Sequence, residues 1–157
     1  MPMLAEKFKV PDVLKDEHEE LHAVLSRATR EEGALGAAAR TVASRLHPHF
    51  VKEEEFALPA LALLSRLARG DVTPDMAEVL PLTERLEREL PGMLEDHRAI
   101  VAALEGLRSA ASAAGRAEYV KFVDELVRHA QTEEVLQYPA AVLAGRYIRA
   151  QLGEGRR

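Results

Sequence analysis

One pattern occurs twice in this chain and constrains it more than any other feature. His49-Phe50-Val51-Lys52-Glu53-Glu54-Glu55-Phe56-Ala57-Leu58-Pro59 returns eighty residues later as His129-Ala130-Gln131-Thr132-Glu133-Glu134-Val135-Leu136-Gln137-Tyr138-Pro139. Both copies read His, three residues, Glu-Glu, four residues, Pro. On a helix, His and Glu at i and i+4 share a face and lie about 6 Å apart along the axis. That spacing lets an imidazole and a carboxylate converge on one metal ion, so the pattern asks for a helix at both places.

The surrounding sequence agrees. Ala, Leu, Glu and Arg, all good helix formers, dominate. No sustained Val/Ile/Thr/Tyr alternation of the kind strands need is present. At 157 residues a single domain with one core is expected, spanning 1–157 with its core over roughly 11–149. The periodicity predicts four main helices. The first starts at Pro11-Asp12 and buries Leu14, His18, Leu21 and Leu25. The second starts near Ala34 and buries Leu35, Ala39, Val42, Leu46, His49, Glu53 and Phe56, with interruptions at Pro48 and Pro59. Apolar residues resume at Leu61 and run to Gly70. Thr73 and Pro74 read as the cap and first residue of the third helix. That helix carries Leu90, Leu94, His97, Val101 and Leu104, is expected to break at Pro81 and Pro91, and decays into a linker over 109–115. The fourth buries Tyr119, Phe122, Leu126, His129, Glu133 and Leu136, is interrupted at Pro139, and ends in a frayed tail over 153–157. Short connections between four helices predict an all-α, up-down-up-down antiparallel bundle.

The duplication reaches beyond the opening pattern. Asp16-Glu17-His18 precedes the first copy and Glu95-Asp96-His97 precedes the second. His97 follows His18 by 79 residues, and His129 follows His49 by 80. Two such halves about a pseudo-twofold axis bring His18, His49, Glu53, His97, His129 and Glu133 together. A lone His in an apolar stripe is usually a core residue satisfied by hydrogen bonds. A lone buried carboxylate is costly. Here every stripe carries a His and two carry a Glu one turn on, so a metal reading accounts for all six residues at once. Imidazole and bridging carboxylate suit iron, manganese or zinc rather than calcium or magnesium, which prefer all-oxygen shells. If both Glu bridge, each ion receives two His and two carboxylate oxygens. A solvent-derived oxo or hydroxo bridge then leaves about one open position per ion, as binding or redox chemistry needs.

His22 and His47 fall off these stripes and are assigned to the surface or to groups around the ligands. Glu54 and Glu134 read as a solvated face. Tyr138 reads as core, with a hydrogen bond to bound oxygen or a gating role as the alternative. There are no cysteines, which excludes disulfides, thiolate zinc sites and iron–sulfur clusters together. A net charge of −5, with only 4% aromatics, offers no basic face or stacking platform for nucleic acid. No apolar leader or window of about 20 apolar residues is present, so a cytoplasmic protein is expected.

The order His, His-x-x-x-Glu, His, His-x-x-x-Glu, with its Glu-Glu-x-x-x-x-Pro tails, resembles the hemerythrin-like (HHE cation-binding) family over roughly residues 11–149. The resemblance implies a four-helix bundle with a non-haem di-iron centre, two ions cycling between Fe2+ and Fe3+, with Mn or Zn as substitutes. Oxygen-carrying members have a further His where this chain has Val101, and an Asp five residues after the last His where this chain has Glu133 at four. The set here is similar to the four-His, two-Glu type. It implies reaction with O2, peroxide or nitric oxide rather than stable oxygen carriage. Three readings are compatible with it: a di-iron protein that binds or turns over such a small diatomic or peroxide ligand, a non-enzymatic iron or oxygen sensor or iron-storage module, and reversible O2 storage. Protein partners and oligomeric state stay open.

Overall fold

The computed structural model describes residues 8–154. Residues 1–7, expected to carry no apolar leader, and 155–157 of the expected tail lie outside the described residues. Among the described residues the chain is helical, with turns and no strand. The regular elements are α1 (Asp12–Thr29), α2 (Gly33–Lys52), a π-helical segment (Glu53–Ala57), a 3-10 turn (Pro59–Leu63), α3 (Leu64–Ala68), a second 3-10 turn (Pro74–Val79), α4 (Leu80–Ala113), α5 (Ala117–Thr132), a second π-helical segment (Glu133–Gln137) and α6 (Tyr138–Glu154). None of these helices is long and apolar enough to cross a membrane.

Two compact units emerge. One comprises 13–51 and 91–132, that is, most of α1, α2 and α5 with the C-terminal part of α4. Its core holds the expected stripes of three helices, Leu21 and Leu25 from α1, Ala39, Val42 and Leu46 from α2, and Phe122 and Leu126 from α5, together with Ile100, Leu104 and Leu107 from α4. Each large apolar side chain buried there contributes about 1.5–3 kcal/mol relative to exposure. The α1–α2 turn is made by Gly33 at φ 68, and the α4–α5 turn by Gly115 at φ 67. Both conformations favour glycine. Arg116 and Tyr119 donate to the Glu31 carboxylate at 2.9 and 3.0 Å, tying one turn to the other. These two donors hold Glu31 below the usual carboxylate range.

The other unit comprises 8–12, 52–90 and 133–154. Phe56, Leu58, Leu63, Met76, Val79, Leu86, Tyr138 and Ile148 form its interior. Here α6 packs against the N-terminal part of α4. Gly145 is the point of closest approach, since a Cβ there would lie 2.1 Å from Thr83 Oγ1. Arg146 reaches Glu87 at 2.7 Å, and Arg149 pairs with Glu84 along the same contact.

Pro48, Pro81 and Pro91 behave differently from expectation. α2 stays helical through Pro48, and α4 runs 34 residues through Pro91. Pro81 sits in the first turn of α4, where its missing N–H leaves no bond unmade. At Pro48 and Pro91 one backbone bond is lost, and burial on both sides of the proline outweighs it. Interruptions do fall, as expected, at Pro59 and Pro139, where the helix widens into π turns just before the proline. A proline ring clashes with the carbonyl four residues back, and a wider turn relieves that clash. Leu58 N–H accordingly bonds the Glu53 carbonyl, five residues back, at 2.9 Å. The extra residue also shifts the buried face. Leu136, expected inside, is 62% exposed, and Tyr138 is buried in its place. The stripe of α4 likewise runs through Leu86, Met93, His97, Ile100 and Leu104, leaving Leu90, Leu94 and Val101 half-buried. The linker expected at 109–115 is helical to Ala113, and the tail is helical to Glu154.

Gly145→Ala should destabilise the protein by ~1–3 kcal/mol through overpacking against Thr83. Gly92→Ala, in the same α4 helix with nothing within 4 Å of its would-be Cβ, should stabilise by about 0.5–1 kcal/mol. Urea denaturation of both variants checks the contrast.

Candidate metal centre

Four histidines are brought inside the unit formed by 13–51 and 91–132. His18 on α1, His49 on α2, His97 on α4 and His129 on α5 are each no more than 5% exposed. They form two matched pairs. His18 and His129 meet edge to face with ring centroids 5.1 Å apart, and His49 and His97 do the same at 4.6 Å. Phe50 stacks on His18 at 4.0 Å, nearly parallel. The position equivalent to Phe50 in the second half is Ala130, so the two pairs differ in their cover. One ring of each pair is tethered by an acid: His129 Nδ1 lies 2.6 Å from Glu17 Oε1, and His49 Nδ1 lies 3.0 Å from Asp96 Oδ2. An ionised carboxylate only accepts. With Nδ1 donating to the acid, Nε2 is the ring nitrogen that can offer a lone pair to a cation.

The other unit holds the carboxylates. Glu53 and Glu133 open the two π-helical segments and are 0% and 1% exposed. π turns inside helices frequently mark functional positions, and here both fall at the Glu of His-x-x-x-Glu. Tyr138, fully buried, donates its hydroxyl to Glu53 Oε2 at 2.7 Å. The equivalent residue in the first half is Leu58, so this donor has no symmetry mate. Burial is the main force holding the Glu53 carboxyl well above the usual carboxylate range; the adjacent Glu133 adds to it and the Tyr138 hydrogen bond opposes it. Burial and the neighbouring carboxylates push the Tyr138 hydroxyl up as well.

Two groups of four side chains each offer ligand atoms within 4.8 Å of one another. One is His18, Glu53, His129 and Glu133; the other is His49, Glu53, His97 and Glu133. Both carboxylates belong to both groups. The donor set fits a transition-series cation. Imidazoles can supply lone pairs, and two adjoining buried carboxylates favour a positive charge beside them.

Residues 88–154 match the family described as Hemerythrin HHE cation binding domain. The matched segment is less than half of the chain. It contains His97, His129 and Glu133. The internal repeat extends the same pattern to His18, His49 and Glu53 in the first half. No curated protein and no solved structure matches the chain. The family match and the two His/Glu groups together support cation binding.

The remaining sequence candidates separate cleanly. His22 and His47 are exposed and lie 5.9 Å from each other, off the ligand groups. Glu54 and Glu134 are exposed. Three contributors were not assigned in the sequence: Glu17, Asp96 and the Tyr138 hydroxyl. A signal for the first two existed in the acid that immediately precedes each single His of the repeat. Nothing in the sequence ties Tyr138 to Glu53, 85 residues away.

Glu53 yields a signed pH dependence. With its carboxyl held above the ordinary ~4.3 of an unfolded chain, the metal-free fold keeps a proton that the unfolded state releases. Its contribution is full below about pH 4 and is lost as pH rises through the folded-state value. Metal-free protein should therefore melt at lower temperature as pH rises over this range, Glu53→Gln should flatten the trend, and calorimetry across pH reads both. Tyr138→Phe leaves Glu53 without its buried donor. It should cost the metal-free protein ~1–3 kcal/mol in urea denaturation.

Proposed function

We propose that the chain is a non-haem di-iron protein that binds or reacts with O2 or a related small oxidant, such as peroxide or nitric oxide. The observation that carries this is the sharing of Glu53 and Glu133 by both ligand groups. Two carboxylates common to two sites are what a carboxylate-bridged pair of ions requires. His18 and His129 would hold one ion, and His49 and His97 the other. The ions, when bound, supply redox capacity and open coordination positions. The chain's own residues do the rest. Phe50 covers His18, Tyr138 holds one oxygen of Glu53, and the apolar interior keeps bulk water from the carboxylates. The reading entails a four-helix up-down-up-down bundle as one domain over 1–157, resident in the cytoplasm. The chain lacks any cysteine, so no thiolate competes for the metal. Manganese or zinc would fit the same donors.

A second reading is a sensor or iron-storage module without turnover. The buried, mutually repelling pair Glu53 and Glu133 supports it, because such a pair makes the fold's stability depend on a bound cation. One experiment separates the two. Protein purified from its own host is assayed for metal, then titrated anaerobically with O2, H2O2 and NO while absorbance is followed. The di-iron reading expects two irons per chain, a spectral response and turnover. A sensor expects a large loss of helicity on chelation and no turnover, and a stable, slowly oxidised O2 adduct would instead mark oxygen storage. Glu133→Ala should lower the metal content below two per chain, and unchanged stoichiometry would overturn the ligand set.

A further inference from the structure

The duplicated Glu17-His18 and Asp96-His97 dipeptides carry more than one candidate ligand each. Each acid reaches a histidine far from it in sequence. Glu17 holds His129 and Asp96 holds His49, at 2.6 and 3.0 Å. His18 and His129 belong to one ligand group, and His97 and His49 to the other. Each dipeptide therefore delivers one imidazole to a group and, through the preceding acid, orients the second imidazole of that same group. The pairing repeats in both halves, across 112 residues in one case and 47 in the other.

We propose that Glu17 and Asp96 are positioning residues, one for each cation position, that set which ring nitrogen of His129 and His49 faces the site. The inference rests on the two-cation reading above. A carboxylate at Nδ1 does two things. It fixes the protonated nitrogen, so that Nε2 presents its lone pair. It also blocks the half-turn of the ring that would exchange the two nitrogens. The geometry separates this role from core packing. The His129 and His49 side chains are 3% and 1% exposed, whereas those of Glu17 and Asp96 are 44% and 31% exposed. The acids reach into the interior from the rim, and truncating them removes little buried surface. Glu17 also lines a 450 Å3 groove with Glu20, Leu21, Arg128 and His129, so a shorter side chain there leaves solvent rather than a void.

Two measurements on the full chain test the proposal. The first is 15N NMR of the histidine rings in metal-free protein. In the parent, His129 and His49 should show protonated Nδ1. Glu17→Ala should abolish that state for His129 alone, and Asp96→Ala for His49 alone. The second is anaerobic titration with Fe2+, and with Co2+ as a spectroscopic probe. Each alanine variant should weaken mainly one of the two binding steps, by ~10–100-fold. Glu17→Gln, which keeps an acceptor oxygen, should recover much of the loss. Metal-free melting temperatures should stay near the parent's. Unchanged ring protonation and unchanged affinities in both alanine variants would overturn the proposal. So would equal loss of both steps from either variant, which marks a general structural effect. A parent that takes up no pair of cations overturns the two-cation reading and this inference with it.

Discussion

Two carboxylates buried side by side are the constraint on which the rest of this structure turns. Glu53 and Glu133 are sealed from solvent, and burial raises the cost of ionising either. Such a pair needs a proton, a hydrogen-bond donor or a cation. Tyr138 supplies a donor to Glu53. The four buried imidazoles surround the pair with further possible ligand atoms. Much of the sequence serves to house this arrangement: a His one turn before each Glu, apolar stripes above and below, and helices that do not end where their prolines would predict.

The π-helical segments show how local strain was used. Glu-Glu-x-x-x-x-Pro would interrupt an ordinary helix at the proline. In both copies the chain inserts one residue into the turn instead, and the helix resumes beyond it. The inserted residue rotates the next turn of helix, so Tyr138 is buried and Leu136 faces solvent. Pro48 and Pro91 cause no such change, because their helices continue through them with well-packed residues on both sides.

Duplication accounts for the paired His rings and the two tethering acids, and departures from it are equally informative. Phe50 stacks on His18, while Ala130 stands at the matching place. Tyr138 donates to Glu53, while Leu58 stands at its matching place. The shared carboxylates and the imidazole pairs thus keep the symmetry of the repeat, and the groups that cover and hydrogen-bond them do not. Two His/Glu groups of the same composition acquire different surroundings in this way.

By itself the sequence determined the all-helical class, most of the buried stripes and the pairing of each His with a Glu one turn on, because a helix places i and i+4 on one face whatever lies around it. The repeat then carried that placement from one half to the other. It did not determine the partners reached across the chain. Glu17 touching His129, Asp96 touching His49 and Tyr138 touching Glu53 depend on how helices lie side by side. Periodicity along one helix contains no such information. The turn geometry before Pro59 and Pro139 belongs with them. Whether a proline breaks, kinks or widens a helix is decided by the packing of the residues around it, and that is a property of the tertiary structure alone.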